Sequence, residues 1–143
     1  MKKSYRKTIT TFFAGIFVLA SLVSAQDNEP KGNVVSMSYY NIKYDMIDEY
    51  MDYLEENKQL WDKVDEILSI RVLRHWWAGN WNVVIIRDWK SLASMETGLE
   101  QITKLTKEKY PDKKVREKRS NKAMSMVMSH WDDICRDVIS LKK

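Results

Sequence analysis

The chain has 143 residues, with 24 Lys/Arg against 20 Asp/Glu, one cysteine and four glycines. One cysteine excludes an internal disulfide framework, and so few glycines leave little material for a backbone loop that cradles phosphate. The whole positive excess lies in the first 25 residues, so the remainder is formally neutral and nothing in its charge balance calls for nucleic acid.

Lys2, Lys3, Arg6 and Lys7 precede an apolar core over residues 12–23, and Val23-Ser24-Ala25 supplies the small residues that signal peptidase accepts. Residues 1–25 therefore read as a signal peptide, cleaved after Ala25, whose apolar core is shorter than the ~20 residues of a membrane span. The expected location is periplasmic or secreted, with no membrane contact after cleavage. Residues 26–33, QDNEPKGN, read as a polar linker. Residues 34–143 are long enough for one core and one domain.

Residues 34–42, VVSMSYYNI, are rich in β-branched and aromatic side chains and alternate, with Val35, Met37 and Tyr39 on one face and Ser36, Ser38 and Tyr40 on the other. They predict a first strand. A helix is predicted over residues 45–66, capped by Asp45, because Ile47, Tyr50, Leu54, Trp61, Val64 and Leu68 recur at helical spacing. It carries nine acidic residues against Lys58 and Lys63, whereas residues 104–122 carry nine basic residues against three acidic. Two such faces are expected to attract one another, within a protomer or across a dimer.

The runs LSIRVLRHWWA and WNVVIIRDW meet at Gly79-Asn80 and hold four of the six tryptophans. They predict a tight hairpin with Ile70, Val72 and Trp76 on one face and Leu73, His75 and Trp77 on the other; its second strand sets Trp81, Val83 and Ile85 against Val84 and Ile86. Large apolar groups on both faces require cover on both. Helices covering one face would leave the other for a second copy, so a homodimer is expected.

Ser91 is placed to cap a second helix with a stripe of Leu92, Met95, Leu99, Ile102 and Leu105; Pro111 ends it, and a third helical segment is predicted over residues 113–130. The last apolar run, residues 134–141, suits either a continuing helix or a strand closing the sheet, and the closing strand is preferred on the logic of the whole fold. Cys135 is expected to be a small buried thiol.

This order of elements, with the Ala78-Gly79-Asn80-Trp81 hairpin and Trp89-Lys90-Ser91 at the step from third strand to second helix, resembles the dimeric α/β-barrel superfamily, which includes antibiotic-biosynthesis and haem-degrading monooxygenases. The resemblance covers residues 34–143. It implies an α+β, ferredoxin-like βαββαβ domain, an antiparallel sheet with helices on one face, and two sheets packed across a two-fold axis. It also implies a cleft for a small apolar or aromatic ligand between sheet and helices. In the haem-degrading branch a tryptophan at the position of Trp89 lies near the cofactor and a first-strand asparagine is used, for which Asn41 is the nearest candidate. That branch also uses a histidine on the second helix. Residues 92–109 contain none, so no cofactor is expected.

No serine or cysteine stands in a nucleophile motif, and no HExxH or paired-cysteine motif occurs. His75 and His130 are the only histidines. His75, between Arg74 and Trp76, reads as a structural histidine beside the tryptophans; as an acid, base or ligand it would work with Trp89, Asn41 or Tyr40 in a cofactor-independent monooxygenase-like enzyme. Met124, Met126, Met128 and His130 in MSMVMSHW offer thioethers and imidazole suited to Cu(I). On a strand they would share one side; on the predicted helix they would not, and core packing is their expected role.

Overall fold

The computed structural model describes residues 32–76 and 79–141. Residues 1–31, which hold the expected signal peptide and most of the expected linker, lie outside the described residues, as do Trp77, Ala78 and residues 142–143. Four strands, β1 (Val34–Ile42), β2 (Ile67–Arg74), β3 (Val83–Trp89) and β4 (Val127–Arg136), are joined through helices α1 (Ile47–Trp61), α2 (Leu92–Lys109) and α3 (Lys113–Met126). The sheet runs β2-β3-β1-β4, each neighbour antiparallel. No described helix is long and apolar enough to cross a membrane.

Alternation along the central strands builds two apolar layers. On the helix side Ile42, Val83 and Ile85 pack with Ile47, Tyr50, Leu54 and Trp61 of α1 and with Ala123 and Met126 of α3. On the opposite side Val35, Val84 and Ile86 form a smaller cluster with Met37, Tyr39 and Trp81, made of strand and loop side chains alone. β3 is thus buried on both faces, as its unbroken apolar run requires. Tyr39 extends the second cluster, stacking on Trp131 of β4 with ring centroids 4.8 Å apart and meeting Trp81 edge-on at 5.9 Å.

The acidic and basic faces meet within one protomer. Arg119 of α3 pairs with Glu56 of α1, and Lys122 reaches Glu49 at 2.5 Å. These largely exposed pairs orient the helices more than they stabilise them, at about 0–1 kcal/mol each.

Ser91 caps α2, its hydroxyl accepting from the Ser94 N–H at 3.1 Å. Midway along α2, Gly98 lies against Trp89: a Cβ there would stand 2.5 Å from Trp89 Cζ3 and 3.3 Å from Glu66 Cβ. Gly98→Ala is therefore expected to lower stability by about 1–2 kcal/mol, the overpacking outweighing the gain in helix propensity. Chemical denaturation checks it; an unchanged midpoint would mean that the indole can retreat.

Several expectations are corrected. Asp45 sits in a short 3-10 turn, Tyr44–Met46, and does not cap α1, whose first residue follows Met46 without a side-chain cap. The helix also stops at Trp61, where Lys58 pairs with Asp62 and the chain turns towards β2. The hairpin is not tight: β2 ends at Arg74, the ladder gains one more bond from His75 N–H to Asn82 O, and Trp76 stands 92% exposed in the connecting loop. Apolar content makes that segment look like strand, but among its described residues pairing with β3 goes no further than the His75–Asn82 bond.

Helix α3 is shorter than expected and the fourth strand begins earlier, at Val127 instead of Ile134. The Lys43 N–H bonds to Met126 O at 2.9 Å, so the chain passes from helix to strand without a loop and pairs with the free edge of β1 from Ile42↔Val127 to Val34↔Arg136. That long ladder outweighs the local helical spacing. Residues Ile139–Leu141, expected as strand, form a 3-10 turn. Cys135 is exposed, not buried, because edge strand β4 carries it outside both apolar clusters.

Candidate functional site

Between the sheet and its helices lies a cleft of about 410 Å³, within the range of small-molecule sites. Its floor comes from alternate residues of two central strands, Tyr40 on β1 and Ile85 and Arg87 on β3; α1 contributes Tyr50, Tyr53 and Trp61. α2 and α3 close the other side with Ile102, Thr106, Ser120 and Ala123. Aromatic rings line it in succession: Tyr40 to Tyr50 is 5.7 Å between centroids and Tyr50 to Tyr53 is 5.9 Å.

Three arginines line this cleft, Arg87, Arg116 and Arg119, and no carboxylate does. Two of them are occupied. Arg116 Nη1 donates to the carbonyls of Tyr110 at 2.5 Å and Pro111 at 2.8 Å. Arg119 pairs with Glu56, donates to Asn57 Oδ1 at 3.1 Å, and covers the Tyr53 ring at 4.5 Å. Arg87 differs. Its guanidinium lies 4.7 Å above the Trp61 ring, yet its Nε is sealed from solvent with no hydrogen-bond partner, and it makes no ion pair among the described residues.

Burial sets the protonation of the groups around it. Desolvation pulls the Arg87 pKa down, while the neighbouring phenols and Asp132 support the charge; even so, a guanidinium stays protonated at neutral pH. Desolvation raises Tyr40, with Asp132 adding to the effect, and raises Tyr50 far above the ordinary phenol range. Both hydroxyls therefore remain neutral, able to donate or accept a hydrogen bond.

Only Tyr40 of the four catalytic candidates lines this cleft. Trp89 is 0% exposed, its indole N–H donating to Ser36 Oγ at 2.9 Å inside the core. His75 belongs to the opposite side, with Nδ1 3.2 Å from Trp81 O and its ring 4.5 Å from that indole. Asn41 pairs with Ser129 and alternates away from Tyr40. Of the metal candidates, Met124 lies on α3 at the cleft and Met126 is sealed in the core; Met128 is the extra residue of a bulge opposite Asn41 and Ile42, and His130 stacks on Tyr40 at 5.7 Å. The step from helix to strand within this motif keeps the four from presenting one common side. Arg87 belongs to no motif, yet its parity is legible in the sequence: Val83, Ile85, Arg87 and Trp89 share a face, so a cation stands in an otherwise apolar row.

No protein-family model matches the sequence, and no curated protein does. Solved structures do share the fold. A dimeric ferredoxin-like protein from an uncultured marine organism superposes with a TM-score of 0.59 at 10% identity, over 76% of this chain and 90% of that one. A variant of SnoaB, a cofactor-independent oxygenase from Streptomyces nogalater, gives 0.57 at 10% identity over 79% of this chain and all of that one, 100%. A provisionally assigned antibiotic-biosynthesis monooxygenase from Bacteroides thetaiotaomicron gives 0.54 at 18% identity, over 78% of this chain and 96% of that one. The chain thus has the α+β ferredoxin-like βαββαβ fold, an antiparallel sheet with helices on one face, in the form found among dimeric ferredoxin-like and monooxygenase-type proteins.

Proposed function

We propose that this is an exported, homodimeric α/β-barrel protein that binds a small aromatic or apolar molecule in the cleft beneath its helices. The observation that carries the proposal is the row of Tyr40, Tyr50, Tyr53 and Trp61 around about 410 Å³ of open space, an arrangement suited to a planar ring. Export is supported by the basic and apolar pattern of residues 1–25. Association through the helix-free side is supported by its aromatic cluster, by Leu73 left 47% exposed and Trp131 38% exposed there, and by the dimeric description of the marine protein with the same fold. An oxygenase activity like that stated for SnoaB has less behind it, because His75, Asn41 and Trp89 are not gathered at the cleft.

Two measurements test this. Sedimentation at micromolar concentration is expected to give a single species of twice the chain mass; a stable monomer overturns the dimer. Calorimetric titration with one- to three-ring aromatic compounds is expected to saturate. Ser120→Trp, which places an indole in the cleft lining, is expected to abolish that binding, and its persistence would move the ligand elsewhere.

A further inference from the structure

We infer that the cleft is built for an aromatic monoanion, whose carboxylate is held by Arg87 while its ring lies among Tyr40, Tyr50 and Trp61. This rests on the cleft being the ligand site. Three observations carry the choice of charge. The lining contains three cationic side chains and no anionic one. Arg116 commits Nη1 to the Tyr110 and Pro111 carbonyls, and Arg119 is paired with Glu56 and bonded to Asn57, so both are engaged in shaping the wall, which sets Arg87 apart. Arg87 has a buried, unpartnered Nε and a guanidinium without a carboxylate partner among the described residues.

A half-buried cation without a counter-charge, its Nε sealed from solvent, is costly to the fold, and the groups nearest to it soften that cost only partly. Asp132, on exposed edge strand β4, attracts it from beyond ion-pair distance, and the Tyr40 and Tyr50 hydroxyls are neutral. A ligand carboxylate would complete the site. The guanidinium fork matches its two oxygens, and the Tyr40 hydroxyl, which accepts from Tyr50, can donate to a lone pair that remains. Trp61, already under the guanidinium at 4.7 Å, fixes the plane of the fork and limits the angle of approach. A cationic ligand would meet three arginines. A neutral one would leave the sealed Nε and the charge of Arg87 without a partner.

The test compares the full chain with Arg87→Met and Arg87→Gln by calorimetric titration with benzoate, 2-naphthoate and 9-anthroate and with the corresponding neutral amides. At least one carboxylate is expected to bind the unaltered protein at least tenfold more tightly than its amide. Both variants should lose that preference while still binding the amide. Arg87→Met should also melt no lower than the unaltered protein without ligand, because an apolar chain of similar length replaces a cation lacking a partner. Carboxylates and amides binding alike, or a preference that survives in both variants, would overturn the inference and leave the cleft standing as a ligand site. No saturable binding of either series would remove the cleft proposal, and this inference with it.

Discussion

Trp89→Ala is expected to lower the stability of the fold by about 3–5 kcal/mol, the range for deleting a buried indole. Trp89 is wholly buried, ends β3 opposite both Val34 and Ile67, and packs flat enough on α2 that Gly98 is the residue that fits there. Its removal would leave a cavity at the point where three strands and a helix meet, and would strand the Ser36 hydroxyl that now accepts the indole N–H. Trp89→Phe retains most of the volume and should cost roughly 1–2 kcal/mol. Denaturant unfolding measures both. Ligand titration of Trp89→Phe separates two roles that sequence resemblance alone could not: a core residue leaves cleft affinity unchanged, whereas a ligand contact would weaken it.

A second large loss is expected for Asn82→Leu, about 2–4 kcal/mol. The Asn82 side chain imitates a strand residue: Oδ1 accepts from the Ile42 N–H at 2.8 Å and Nδ2 donates to the Ile42 carbonyl at 2.7 Å, while its own N–H reaches Tyr40 O at 2.9 Å. Ile42 is 0% exposed, and its pairing shifts where the β1–β4 ladder skips a residue. The amide side chain thus carries the β1–β3 pairing one step past the point where β3 formally begins. Leucine fills the space and bonds neither group. A fall in thermal midpoint with the sheet otherwise intact would agree with this account, and an unchanged midpoint would show that Ile42 finds other partners.

How far the sequence discloses these features depends on whether local chemistry or distant pairing decides them. β1 is legible because Val35, Met37 and Tyr39 alternate with Ser36, Ser38 and Tyr40, and the two serines mark the helix-side row that holds the Trp89 hydrogen bond. β3 is legible from its unbroken VVII, and α2 from Ser91 followed three residues later by Ser94, a reciprocal cap. The start of β4 is not. Val127, Trp131 and Cys135 satisfy helical spacing as well as alternation, and the choice is made by the vacant edge of β1, which no local window contains. The tip between β2 and β3 is obscured by tryptophans such as Trp76 and Trp81, whose bulk suggests strand although neither lies in a strand. At the cleft, the aromatic character could be expected from the resemblance. The unpartnered state of Arg87 could not, because it depends on which acids the fold keeps away.

The two rims of the sheet differ from its interior in composition. Arg71 and Arg74 punctuate β2, which carries a kink between Ile67 and Ser69; Asp132 and Asp133 sit side by side on β4, which has its own irregularity opposite Asn41. Such charges and kinks discourage a stray strand from annealing onto either rim. Growth of the kind that leads to fibres is thereby opposed at both borders; under the proposed association, contact falls instead on the broad side of the sheet, where a two-fold pairing would close on itself and stop.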